Sequence, residues 1–194
     1  MGTIKTTNIE TITGSGTLTL GQSGETISIP SGVTITNNGT QTGFGGTNTP
    51  MFEVGLSANQ SYSSGVASKI LFNTEVFDTN NCFASNKFTP TVAGKYYIYA
   101  QANFYTGSVN SISEATVFFY KNGSLYNPYS GTYRGNVLST YPNNNLTELT
   151  PSINAIINMN GTTDYLEVYA NAYSSTSGNI LFPRTFFGGY KIIE

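Results

Sequence analysis

The sequence predicts an all-β sandwich, on three observations. From Met51 onward apolar and polar residues alternate with period two, as in GKYYIYAQANFY from Gly94 to Tyr105, the spacing of a strand with one covered face. Turn-forming pairs such as Asn122–Gly123 and Asn160–Gly161 punctuate these runs. Charged residues make up 9% of the 194, against roughly 25% in an ordinary soluble domain. Thr, Ser, Asn and Gly must therefore cover the surface, and these residues favour strands and turns over helices.

The chain begins with an arm, residues 1 to 48, rich in Thr, Gly, Ser and Asn. Its apolar residues come in pairs: Leu18 and Leu20, Ile27 and Ile29, Val33 and Ile35. Each pair straddles one polar residue, so both members point to one face of a short strand. Gly14, Gly16, Gly21, Gly24, Gly32 and Gly39 separate the units. Two apolar residues bury no core alone. Such an arm needs identical copies wrapped with it, or another protein to lie on; the alternative is a disordered Gly/Thr-rich arm. QTGFGGTNTP, residues 41 to 50, reads as the linker.

Residues 51 to 194 carry the sandwich. MFEVGLS, VASKILF and the short NKFTP read as strands. GKYYIYAQANFY is a long strand with Tyr96, Ile98, Ala100 and Ala102 on one face and Tyr97, Tyr99, Gln101 and Asn103 on the other. ISEATVFFYKNGSLY and SINAIINMNGTTDYLEVYANAY each contain a hairpin signal, at Asn122–Gly123 and Asn160–Gly161, and PRTFFGGYKII closes the chain as a final strand. That makes eight to ten strands in two facing sheets, with the Thr/Asn faces wet.

The stretch FNTEVFDTNNCFASNKFTPTVAGKYYIY, Phe72 to Tyr99, spaces Phe72, Asp78, Phe83, Phe88, Gly94 and Tyr96 in a pattern that resembles the complement globular-head signature. Ile98 and Ala100 stand where that signature has aromatics, and the gap from Phe83 to Phe88 is two residues shorter. GTTDYLEVY, from Gly161 to Tyr169, and FGGYKII, from Phe187 to Ile193, resemble the family's last two strands. The resemblance implies a TNF-like jelly roll that assembles as a homotrimer and binds rather than transforms. It also implies that Tyr96, Ile98, Tyr165, Phe187, Gly189 and Tyr190 lie in the trimer core or interface, with Gly189 admitting close approach of neighbouring chains. TGSGTLTLGQSGETISIPSG in the arm resembles segments of bacteriophage tail-fibre and other virion proteins.

Little catalytic chemistry is written in the sequence. There is no His, which removes Ser-His-Asp and Cys-His catalysis and the commonest zinc ligand. Cys82 is alone, so no intrachain disulfide forms, and it reads as a small buried side chain. No cofactor or metal is expected; Asp78 with Asn80 and Asn81 reads as an Asx turn rather than a calcium site. Among Glu53, Glu75, Asp78, Glu114, Glu148, Asp164 and Glu167 no spacing nominates a catalytic pair, and Glu167 falls on an outer face. A net charge of −2 without a basic stripe argues against nucleic acid, and no run is apolar enough for a signal peptide or membrane insertion.

The expected function is therefore a non-enzymatic phage virion protein, made in the host cytoplasm and displayed on the particle surface. Its arm, residues 1–48, would contact other virion proteins, and its knob, residues 51–194, would project as a capsid decoration or a head or tail fibre. A host-glycan adhesin is the alternative, with a polysaccharide-degrading enzyme behind it. For the adhesin the ligand loop is LYNPYSGTYRGNVLSTYPNNN, with Tyr126, Tyr129, Tyr133, Arg134 and Tyr141. Its tyrosines suit either sugar stacking or packing against a neighbouring subunit.

Overall fold

The computed structural model describes residues 9, 16–39, 48–107, 112–128, 135–138, 146–175 and 178–193. The chain divides into two units, Met1–Phe44 and Gly45–Glu194.

The larger unit is built from β1 (Met51–Gly55), β2 (Gln60–Tyr62), β3 (Ser68–Lys69), β4 (Thr74–Asp78), β5 (Phe83–Ala84), β6 (Lys87–Phe88) and β7 (Gly94–Tyr105). It continues through β8 (Ile112–Lys121), β9 (Ser124–Leu125), β10 (Gly135–Leu138), β11 (Glu148–Leu149), β12 (Ser152–Met159), β13 (Leu166–Ser174) and β14 (Gly178–Lys191). No described residue is helical. Sheet 1 runs β11-β7-β14-β1-β4, with β12 on the same edge of β7 as β11 and β2 on β14. Sheet 2 runs β10-β8-β13-β6-β5, with β3 on β13 and β9 on β8. All pairings are antiparallel.

The alternation of β7 works as its sequence predicts: Tyr96, Ile98, Ala100 and Ala102 are buried, facing β8 and β13 across the sandwich. The spaced aromatics of the signature stretch meet in this layer. Phe52 stacks on Phe88 at 4.1 Å and meets Phe187 edge-on at 4.8 Å. Phe72, Phe83 and Phe119 approach Phe187 at 5.7, 6.2 and 6.2 Å. Asp78 holds the loop between β4 and β5 by accepting the Cys82 and Phe83 backbone N–H groups at 2.9 and 2.7 Å, four and five residues on, a wider closure than the expected Asx turn. Cys82 is buried and free, as read from its neighbours.

The two Asn-Gly signals have different fates. Asn122 (φ 54°) and Gly123 (φ 79°) form the two-residue turn of a β8–β9 hairpin, since both need positive φ. At Asn160–Gly161 the hairpin expectation is corrected: β12 pairs with β7 in sheet 1 and β13 with β8 in sheet 2, so this turn crosses between layers. The Asn160 side-chain oxygen accepts the backbone N–H groups of Thr162, Thr163 and Asp164, each at 2.9 Å, which stabilises a wider loop. A further hairpin, β5–β6, turns at Ser85–Asn86, where both residues have positive φ; the missing glycine hid it from the sequence.

In the arm the apolar pairs are present but the expected strands are not: no described residue of 16–39 lies in a strand. Its glycines do make turns, with φ of 80° at Gly21, 89° at Gly24 and 86° at Gly32.

Phe187→Ala should cost about 3–5 kcal/mol, the range for truncating a buried aromatic ring, and lower the urea midpoint without changing the slope. An unchanged midpoint would mean the sandwich does not depend on this ring.

Candidate subunit interface

The outer face of sheet 1 collects aromatic and aliphatic side chains where a solvated strand face would be polar. Antiparallel register puts Ile156, Tyr97, Tyr190 and Met51 in one row across β12, β7, β14 and β1. The next row is Asn154, Tyr99, Gly188, Glu53 and Phe77, and the third holds Ser152, Gln101, Phe186, Gly55 and Thr74. Tyr97 approaches Tyr190 at 5.6 Å and Tyr99 at 6.1 Å, and Tyr99 meets Phe186 at 6.1 Å. Ile156, Phe77 and Tyr190 are 58, 39 and 38% exposed in the single chain. A hollow of about 210 Å³ lies on this face, lined by Asn48, Met51, Phe77, Tyr99, Gly189 and Tyr190.

Backbone chemistry shapes the face. A side chain at Gly188 would meet the Tyr99 ring at 2.5–2.8 Å, so glycine is what lets that ring lie flat against β14. The Tyr99 hydroxyl donates to Glu53 Oε2 at 2.7 Å. Burial, then this carboxylate partner, push the Tyr99 phenol well above its usual range. At the base of the face Asn103 donates to Glu148 Oε1 (2.6 Å) and Thr150 Oγ1 (2.7 Å), and Arg184 also pairs with Glu148.

The residues expected at the trimer core or interface separate. Tyr190 lies on this face. Tyr96, Ile98 and Phe187 are fully covered inside one chain, so for these three the expectation is corrected: they build the protomer core. Burial pushes the Tyr96 phenol up to about 12, with Cys82 a smaller cause, and its hydroxyl donates to the Val92 carbonyl at 2.6 Å. Gly189 also faces inward. A Cβ there would meet Ile98 Cδ1 at 2.5 Å, so its space is used by its own chain and Gly188 is the glycine on the outer face. Tyr165 adjoins sheet 2, where the Lys87 ammonium sits 4.0 Å from its ring centre. Tyr97, Tyr99, Phe77, Phe186 and Ile156 were missed; the signal was the aromatic pair at Tyr96–Tyr97, which gives β7 rings on both parities.

Of the ligand loop, Tyr126 lies outside any strand and packs partly buried against the core, its N–H bonded to the Phe119 carbonyl at 2.8 Å. Tyr129, Tyr133, Arg134 and Tyr141 lie outside the described residues. The candidate carboxylates are mostly engaged. Asp164 accepts from Lys121 at 2.8 Å, and that bond with one from Asn122 holds its carboxyl below the usual range. Glu167, on the outer side of sheet 2, is nonetheless buried, because Lys69 covers it at 2.7 Å. No cluster of three or more His, Cys, Asp or Glu is placed to hold a metal among the described residues.

No protein-family model matches the sequence, and no curated protein does. Among solved structures the chain is similar to Eiger TNF from S. frugiperda, at TM-score 0.50 and 11% identity over 73% of this chain and 90% of that one. It is similar to murine APRIL at TM-score 0.50 and 14% identity over 73% and 98%. The globular domain of zebrafish complement 1qA protein covers 74% and 97% at TM-score 0.48 and 15% identity. Eiger TNF and APRIL place the fold of the larger unit: an all-β, TNF-like jelly roll of two antiparallel sheets, as the sequence predicts.

The raised phenols make alkaline stability a direct readout. A phenol whose pKa is higher folded than unfolded contributes stability that is full below about pH 10, its unfolded value, and is lost as pH rises through the folded value. Urea midpoints should therefore fall between pH 9 and 12, and Tyr99→Phe should flatten part of that fall while costing about 0.5–1.5 kcal/mol at pH 8 for its hydrogen bond. A midpoint independent of pH up to 12 would contradict the burial of these groups.

Proposed function

We propose that this chain is a non-enzymatic structural protein of a bacteriophage particle, a homotrimer whose jelly-roll domains pack through the outer face of sheet 1 and project as a knob at the virion surface. The carrying observation is that face: tyrosines, Phe77, Phe186, Ile156 and Met51 share one side of sheet 1, and Ile156, Phe77 and Tyr190 stand exposed there among the described residues. Burying such a surface is worth about 25 cal/mol per Å², and Tyr is enriched at subunit contacts. Ile156 stands at the β12 edge, while the hollow lies across β7, β14, β1 and β4, between Tyr99, Tyr190, Met51 and Phe77. A protruding side chain and a hollow at different places on one face suit a head-to-tail contact that closes into a ring. The TNF-like fold, for which the family resemblance implies three copies, supports the same number.

The non-enzymatic part of this reading is supported by the carboxylates, of which Glu53, Asp78, Glu148, Asp164 and Glu167 serve structural bonds. The phage assignment rests on the arm, whose Gly/Thr-rich units resemble tail-fibre segments, and on a sparsely charged sequence suited to a particle component. The particle is then the destination of the arm, and the progeny-producing host cytoplasm the place of synthesis. Tyr126 packs partly buried against the core, which leaves less of its ring free for a glycan and favours the structural role over the adhesin.

Sedimentation equilibrium should return three times the 20.8 kDa chain mass. Tyr190→Arg with Ile156→Arg should leave the circular dichroism unchanged and raise the concentration at which the trimer dissociates by at least about tenfold, as loss of hot-spot contacts does. A lone protomer at micromolar concentration, or a variant that dissociates like the parent, would refute the interface. Peptide counting on purified particles tests the virion role, and absence of the chain from them would end it.

A further inference from the structure

We infer that residues 17–38 of three copies wind together into a β stalk, so that the arm's partner is two further copies of this chain rather than a coat protein. This rests on the homotrimer proposed above and adds to it the occupant of the arm's apolar side chains.

The arm has specified turns without partners for what lies between them. Glu25 N–H bonds to the Gln22 carbonyl at 3.0 Å and Val33 N–H to the Pro30 carbonyl at 3.2 Å. In each turn the third residue is a glycine with positive φ, Gly24 at 89° and Gly32 at 86°, the geometry of a type II turn. The two Ser-Gly turns therefore stand eight residues apart, Ser23–Gly24 and Ser31–Gly32. Three segments outside any strand flank them, and each carries one apolar pair. Leu18, Leu20, Ile27, Ile29, Val33 and Ile35 are 47–60% exposed, on the order of several hundred Å² of apolar surface per chain.

Two demands must be met together. The apolar pairs need cover, and once covered the backbone between the turns, which pairs in no strand among the described residues, must exchange water for other hydrogen-bond partners. Strands of identical arms meet both, since each copy brings the same turns at the same spacing and so the same register. A foreign surface would need a recognition handle, and charge offers none: Glu25 is the one charged residue in 16–39, and its carboxylate accepts the Gln22 N–H at 2.7 Å. Continuity fixes the number of copies. Each chain carries one arm and one larger unit, so the homotrimer proposed above brings three arms.

Hydrogen exchange read by mass spectrometry on the full-length trimer tests this. Amides of residues 26–29 and 33–36 should exchange at least about tenfold more slowly than in an unstructured chain. Ile27→Ser with Ile29→Ser should return them to the unstructured rate while sedimentation still reports a trimer, because the knobs hold it. Unprotected arm amides in a wild-type trimer would overturn the stalk and leave the knob assembly standing. Protection that survives in single chains obtained by dilution would overturn it too, as would protection gained only on the purified particle. A wild-type chain that never trimerises would refute the homotrimer itself.

Discussion

Phe187 is the residue on which the jelly roll turns. Its ring takes contacts from Phe52 of β1, Phe119 of β8 and the Phe72 and Phe83 flanks of β4 and β5. Those segments are scattered over the chain and belong to both sheets, so one buried ring ties together pieces that no local interaction would join. The two residues that follow extend its influence. Gly189 leaves space on the inner side for Ile98, and Gly188 leaves space on the outer side for the Tyr99 ring. Three consecutive residues of the last strand thus set both the packing of the core and the flatness of the face behind it.

Much of this was legible because period two is a strong signal when one face is buried. The alternation of β7 predicted which side chains enter the core, and the Phe and Asx spacing before it marked a loop that Asp78 holds with its carboxylate. What failed, failed where two physical outcomes share one local sequence. Asn-Gly bends the chain at both 122–123 and 160–161, but only long-range pairing decides whether the next strand returns beside the last one or crosses to the other sheet. Tyr96 and Phe187 carry aromatic side chains that suit an interface or a core equally, and the choice between them is made by partners far away in sequence.

The candidate face was hidden for a related reason. A strand with rings on both parities breaks the polar-outside rule, so the alternation that separates Tyr97 and Tyr99 from Tyr96 does not say what covers their face. The violation is informative once the register is known, because Tyr190, Ile156 and Phe77 from three other strands fall beside them. Single exposed apolar residues are ordinary; a row spanning several strands is a surface in need of a neighbour.

The scarcity of charge links the two ends of the molecule. Surface ion pairs steer association and exclude wrong partners, yet this chain carries ten acids and eight bases in 194 residues, and several of them are spent inside the knob, as Lys69 is on Glu167 and Lys121 on Asp164. Specificity then has to come from shape and register: a hollow beside an aromatic row in the knob, and turns repeated at a fixed interval in the arm. Both are surfaces that an identical copy matches by construction. On the proposed assembly, a sparsely charged chain that leaves its apolar groups in ordered rows recognises its copies by shape, and trimer formation is the step at which those faces become interior.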